Sequence, residues 1–180
     1  MAGILPNLPY LCSKYNWKPI MHFTDLPSHA RVWVYQSTTE FTREQHSEIL
    51  GKAKLFVDSW ASHGTALRAG IEVLHKRFVV VAVDEQHAMA SGCSIDKSVH
   101  FMQTLEQEMG LRLFDRMQVA YRDGEQLSTA NMHDFGDLLA NGSLSSDTIV
   151  FNNLVNTLDD FRNKWEVPVS DSWHARLLPA

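Results

Sequence analysis

The chain has 180 residues, 44% of them apolar and 21% charged, which is the balance of a globular protein with a sizeable core and excludes wholesale disorder. A net charge of −5, with 16 Lys and Arg scattered along the chain, argues against binding a phosphate backbone as the main task. No run reaches the roughly 18 apolar residues that spanning a bilayer needs, so neither nucleic acid nor membrane is expected as a partner.

Residues 1–20, MAGILPNLPYLCSKYNWKPI, contain three prolines and lack the basic start and apolar stretch of a secretory signal. They read as an N-terminal extension. Patterned sequence begins at Met21, so residues 21–180 are expected to form a single α+β domain, with a core over 31–122 and a C-terminal extension over 123–180. Cys12 and Cys93 lie far apart in regions of different character, which suits reduced thiols in a cytoplasmic protein better than a disulfide framework.

Arg31–Gln36, RVWVYQ, is rich in β-branched and aromatic residues and reads as a strand. Thr42-Arg43-Glu44-Gln45 is a capping box that starts a helix. Ile49, Leu50, Ala53, Phe56, Val57, Trp60 and Ala61 then recur at steps of three and four until Gly64, which predicts about six turns with one apolar face. Ala69, Ile71 and Val73 alternate as a second strand, and the HKR turn leads into Phe78–Val83, FVVVAV. That run is apolar on both faces, as a strand covered on both sides must be.

Ser94 is expected to cap a helix whose apolar positions are Ile95, Val99, Met102, Leu105 and Met109, ended by Gly110. Met117, Val119 and Tyr121 alternate as a fourth strand before the Asp123-Gly124 turn. The C-terminal third offers a helix around Met132, Phe135, Leu138 and Leu139, the run DTIVFNNLV, and a helix from about Thr157 with Leu158, Phe161 and Trp165. The order over 31–121 is β-α-β-β-α-β, so the expected fold class is α+β, a ferredoxin-like βαββαβ core with a C-terminal helical extension. Its first and third strands would lie in the middle. A doubly wound parallel sheet is disfavoured by the short hairpin between the second and third strands. Two helices cover one sheet face only; either the C-terminal third covers the other, or a second subunit does and the chain is a homodimer.

The chemistry-bearing stretch is Ala90–His100, ASGCSIDKSVH, directly after the central strand. Cys93 at a helix start is a candidate nucleophile, because unpaired amides and the helix dipole favour a thiolate there. The competing reading is a small buried residue filling the strand-to-helix corner, with Gly92 present for backbone freedom. His100 or His174 would serve Cys93 as base. Ser91, Gly92, Ser94 and Lys97 would line a ligand site beside it, with the Ser94–Lys97 amides able to hold an anion. Ser94 to Lys97 also fits S-x-x-K, but neither S-D-N nor K-T-G follows, and Ser94 as a cap with Asp96 near the positive helix end explains both residues.

Asp84 and Glu85 end the central strand, where carboxylates often line clefts; they are expected in the ligand site, and with His87 or His100 they could form an acid/base pair or a metal site. No H-x-x-x-H, HExxH or paired CxxC spacing points to a metal, and no cofactor is expected. The tail WEVPVSDSWHARLL supplies Trp173, His174 and Arg176, residue types that recognise ligands, although its tryptophans would serve equally to pin the tail to the sheet. If the tail folds over the open face, His174 approaches Cys93. The expected function is a small-ligand-binding or regulatory module using a pocket between the Cys93 loop and the tail; the alternative is a thiol enzyme.

Ala30–Gln36, Val81–Glu85 (VAVDE), Ser91–Phe101 (SGCSIDKSVHF), Leu113–Asp123 (LFDRMQVAYRD), Asp147–Val155 and Trp165–Leu178 together resemble a small family of Bacteroidetes proteins that carry the label "ABC transporter ATPase". The resemblance runs from Met21 onward and leaves out residues 1–20. It implies no particular reaction, substrate or catalytic residue. The chain has no G-x-x-x-x-G-K-[ST] phosphate loop, so ATP hydrolysis is not expected.

Overall fold

Phe78–Val83 has no exposed surface at any of its six residues, and the rest of the architecture follows from burying it. Residues 23–179 are described by a computed structural model. In chain order they form β1 (Arg31–Gln36), α1 (Arg43–Ser59), β2 (Ala61–Ser62), β3 (Thr65–Ala66), β4 (Ala69–Leu74), β5 (Phe78–Val83) and α2 (Gly92–Met109). There follow β6 (Gln118–Asp123), β7 (Gln126–Asn131), α3 (Met132–Ala140), β8 (Ile149–Phe151), α4 (Leu158–Lys164) and β9 (Glu166–Pro168). The described residues thus make an α+β fold of four helices and three antiparallel sheets.

The first sheet has the order β1-β5-β4, with Val34 opposite Val80 and Val73 opposite Val79. The expected fourth strand, β6, does not join it. It pairs with β7 and β8 in a second sheet of order β7-β6-β8-β9. The outer edge of β1 is taken instead by the segment before α4: Val32 N–H donates to the Asn156 carbonyl at 3.0 Å and Leu158 N–H to the Ala30 carbonyl at 2.8 Å. So β5 is central, and β1 is bordered on its outer side by this bridging segment and not by β6, the strand expected there.

Alternation along β5 sorts its side chains into two cores. Val79, Val81 and Val83 pack with Ile49, Trp60, Met102 and Leu105 under α1 and α2. Phe78, Val80 and Ala82 pack with Ala120, Phe151, Leu158, Phe161 and Trp165 from the second sheet and α4. The face left open by two helices is therefore covered by the C-terminal third of the same chain. A third core lies on the far side of the second sheet, where Val119, Tyr121 and Val150 meet Phe135 and Leu139 of α3.

Helix ends follow local chemistry. Thr42 makes the expected capping box, its Oγ1 accepting from Gln45 N–H at 3.1 Å while Gln45 Oε1 accepts from Thr42 N–H at 2.9 Å. α1 stops at Ser59 rather than at Gly64, because Ala61–Ser62 pairs with Thr65–Ala66 in a hairpin whose tight turn uses Gly64 and His63. Leu50, expected on the apolar face, is 40% exposed. No helix among the described residues is long and apolar enough to cross a membrane. The proposed extension, residues 1–20, lies outside the described residues.

Gly70 in β4 is a packing requirement, since a Cβ there would stand 3.0 Å from the Phe23 Cα. Gly70→Val should therefore destabilise by about 1–3 kcal/mol despite valine's preference for strands, read as a lower urea midpoint at unchanged slope.

Candidate functional site

The α2 N-terminus is built by Ser91, not Ser94. Ser91 Oγ accepts from Ser94 N–H at 3.3 Å, while Ser94 turns inward, 1% exposed, and its hydroxyl donates to the Ser91 carbonyl at 2.8 Å. This moves the helix start back to Gly92 and puts Cys93 in its first turn, exposed and free. The reading of Cys93 as a buried corner filler is thus overturned. The β2–β3 hairpin braces the corner, with Ser91 N–H donating to Ser62 Oγ at 3.3 Å.

α1 and α2 run antiparallel, as four contacts in register show. Gln45 Nε2 donates to the Met109 carbonyl at 3.1 Å, Lys52 Nζ to Glu108 Oε2 at 2.7 Å, and Trp60 Nε1 to the Ser94 carbonyl at 2.8 Å. Between them Phe56 and Phe101 stack with centroids 4.5 Å apart and planes 8° from parallel. Along this seam opens a groove of about 790 Å³, lined by Phe56, Ser59 and Trp60 of α1 and by Cys93, Asp96, Lys97, His100, Phe101 and Thr104 of α2. Steps of three and four set Cys93, Asp96, Lys97, His100 and Thr104 on one helical stripe. A smaller cavity of about 270 Å³ at the start of α1, lined by Phe41, Thr42, Arg43, His46 and Lys76, contains none of the expected site residues.

The stripe brings Cys93, Lys97 and His100 to one surface, but seven residues at 1.5 Å rise separate the Cys93 and His100 backbones by about 10 Å along the axis. No hydrogen bond joins them, and a thiol–imidazole pair needs a far shorter separation.

Asp84 and Glu85 stand apart from the groove, engaged with residues that sequence reasoning missed. Asp84 is 5% exposed; its Oδ1 lies 3.1 Å from His29 Nε2, and its Oδ2 3.7 Å from Arg68 Nη1. Burial alone would raise its pKa, yet hydrogen bonds from His29 and from the Gln86 and His87 amides outweigh it and hold the carboxyl below its ordinary value. Glu85 pairs with Arg31 at 3.4 Å. Nothing local in the sequence links positions 29 and 84, which only the β1–β5 register brings together.

The tail does not reach Cys93. Trp173, His174 and Arg176 lie on the α3 side of the second sheet, so both sheets and the core between them separate His174 from α2. His174 is 1% exposed, lies 6.1 Å from the Phe135 ring, and its Nδ1 is 2.9 Å from Ser172 Oγ. Its pKa is pushed down to about 4, first by burial and then by the Arg176 charge. Arg176 in turn sits 4.7 Å over the Trp173 ring. The tail residues thus pin the chain end, and the expected pocket between Cys93 loop and tail is not formed. Among the described residues no group of three or more His, Cys, Asp or Glu could hold a metal ion.

Phe56, Ser59, Trp60, Phe101 and Thr104 also line the groove, although in the sequence they stand out only as helix-forming positions or not at all. The signal was present in the aromatic pair at Phe56 and Trp60, four apart, although its partner helix was not legible.

A His174→Gln variant separates its burial from its titration. Because the folded state holds His174 at about 4, against an ordinary 6.5, stability is full above pH 6.5 and falls as pH drops towards 4, where only the unfolded chain takes the proton. The wild type should lose about 3 kcal/mol across that window that the variant does not lose, as measured by urea unfolding at stepped pH.

Compared with known protein families, with curated proteins and with solved structures, the chain matches none.

Proposed function

We propose that this chain is a binding module that holds a small ligand in the groove between α1 and α2, acting in the cytoplasm as a regulatory or interaction component. The observation that carries this reading is the groove itself. Its volume of about 790 Å³ falls in the range of small-molecule sites, and it combines aromatic walls with a stripe of polar side chains on one helix. The Asp96, Lys97 and His100 side chains find no ionic or hydrogen-bonding partner among the described residues, so they are available to a ligand. The antiparallel β1-β5-β4 order, flanked by α1 and α2, supports reading this half as a ferredoxin-like core whose last strand has been drawn into the second sheet. The resemblance to the Bacteroidetes family adds a proposed kinship and no reaction.

The second reading is a thiol enzyme, and one observation favours it: Cys93 is exposed in the first turn of α2, at the groove lining. Its weakness is the spacing to His100. His174, the other proposed base, is on the far side of the molecule.

Two measurements test the groove and the thiol in turn. Phe101→Ala should weaken an apolar fluorescent probe such as N-phenyl-1-naphthylamine by about tenfold, because it removes one ring of the stacked pair. Iodoacetamide should alkylate Cys93 in the folded protein, as its exposure requires; a rate that follows an ordinary thiol titration upholds the binding module, and a rate that plateaus well below pH 8 favours the enzyme.

A further inference from the structure

Resting on the groove reading above, we infer that the ligand is a flat aromatic small molecule carrying one anionic group, its rings against Phe56 and Phe101 and its anion at Lys97. The shape follows from the walls. Phe56 and Phe101 are near-parallel, Trp60 lies 5.0 Å from Phe56 at 37°, and both phenylalanines are half-buried, so a planar ring system can extend the existing stack. The stripe from Cys93 to Thr104 runs eleven residues, about 16 Å, which accommodates two or three fused or linked rings with a polar group at one side.

The charge follows from a comparison of the cations near the seam. Lys52 is already held by Glu108 at 2.7 Å and Glu48 at 3.4 Å, whereas the Lys97 ammonium faces the groove with no such partner. His100 follows one turn later on the same stripe, and the positive end of the α2 dipole lies at the Cys93 end. Asp96 is the one carboxylate in the lining, and with Ser91 as the N-cap it falls beyond the first turn of α2, one residue before Lys97. An anion at Lys97 therefore gains an ion pair, while a cation there would meet the Lys97 ammonium.

The test compares two probes that share an anilinonaphthalene frame and differ by one sulfonate: 1-anilinonaphthalene-8-sulfonate and neutral N-phenyl-1-naphthylamine. Each is titrated into the full chain at low salt and followed by its fluorescence, with circular dichroism as the check on folding of each variant. The expected result is that the sulfonate binds about fivefold more tightly, as one partly exposed ion pair allows, and that Lys97→Gln removes the difference by weakening the sulfonate more than the neutral probe. Phe101→Ala should weaken both. Equal affinities, tighter binding of the neutral probe, or a preference that survives Lys97→Gln would overturn the anionic assignment while leaving the groove as a ligand site. Failure of both probes to bind, or binding that Phe101→Ala leaves unchanged, would overturn the groove reading as well.

Discussion

A strand with no wet face is the constraint on which this structure depends. Each large aliphatic side chain of β5 contributes about 1.5–3 kcal/mol when withdrawn from water, and this holds only if both faces of the sheet are covered. α1 and α2 cover one face. The other is covered by β6, β8 and α4, so the C-terminal third is a structural half of the molecule, with Phe151 and Trp165 packed on Phe78 at 4.9 and 5.0 Å.

This division also explains why β6 leaves the first sheet. Ala120 is small enough to lie against the β5 layer, while Val119 and Tyr121 on the opposite face need α3 as cover. A strand that buries both faces in this way is better placed between two layers than at the rim of one. The junction is reinforced at the β4–β5 turn, where His75 and Lys76 are both held at positive φ, 49° and 51°. Such conformations cost about 1–2 kcal/mol per residue, and His75 is held there by Glu166 Oε1 at 3.0 Å and by the Phe151 and Trp165 rings. Glu166 also accepts from Arg122 Nη2 at 2.7 Å, so one carboxylate ties the hairpin of the first sheet to two strands of the second.

The same layering decides where chemistry can occur. A histidine 1% exposed and packed on the outer layer titrates at about 4 and stays neutral in ordinary conditions, which suits a pin and not a base. The α2 stripe, by contrast, is accessible and set on a rigid helix whose inner face is buried under Met102 and Leu105. Asp84 illustrates the intermediate case: it is buried, yet hydrogen bonds to its ionised form keep it charged, and its role is to fix the ends of β1, β4 and β5 through His29 and Arg68.

Local periodicity by itself determined most of the elements and the first sheet's core. The capping box at Thr42, the alternation in β4 and the continuous apolar run of β5 are short-range signals, each written in a few consecutive residues. The same holds for the stripe from Cys93 to Thr104, which needs only the helical repeat. Pairings between distant segments were decided by the tertiary structure alone. His29 with Asp84, Phe56 with Phe101, the edge of β1 with residue 156, and the removal of His174 to the far layer all depend on which faces compete to be buried, and that competition is settled over the whole chain.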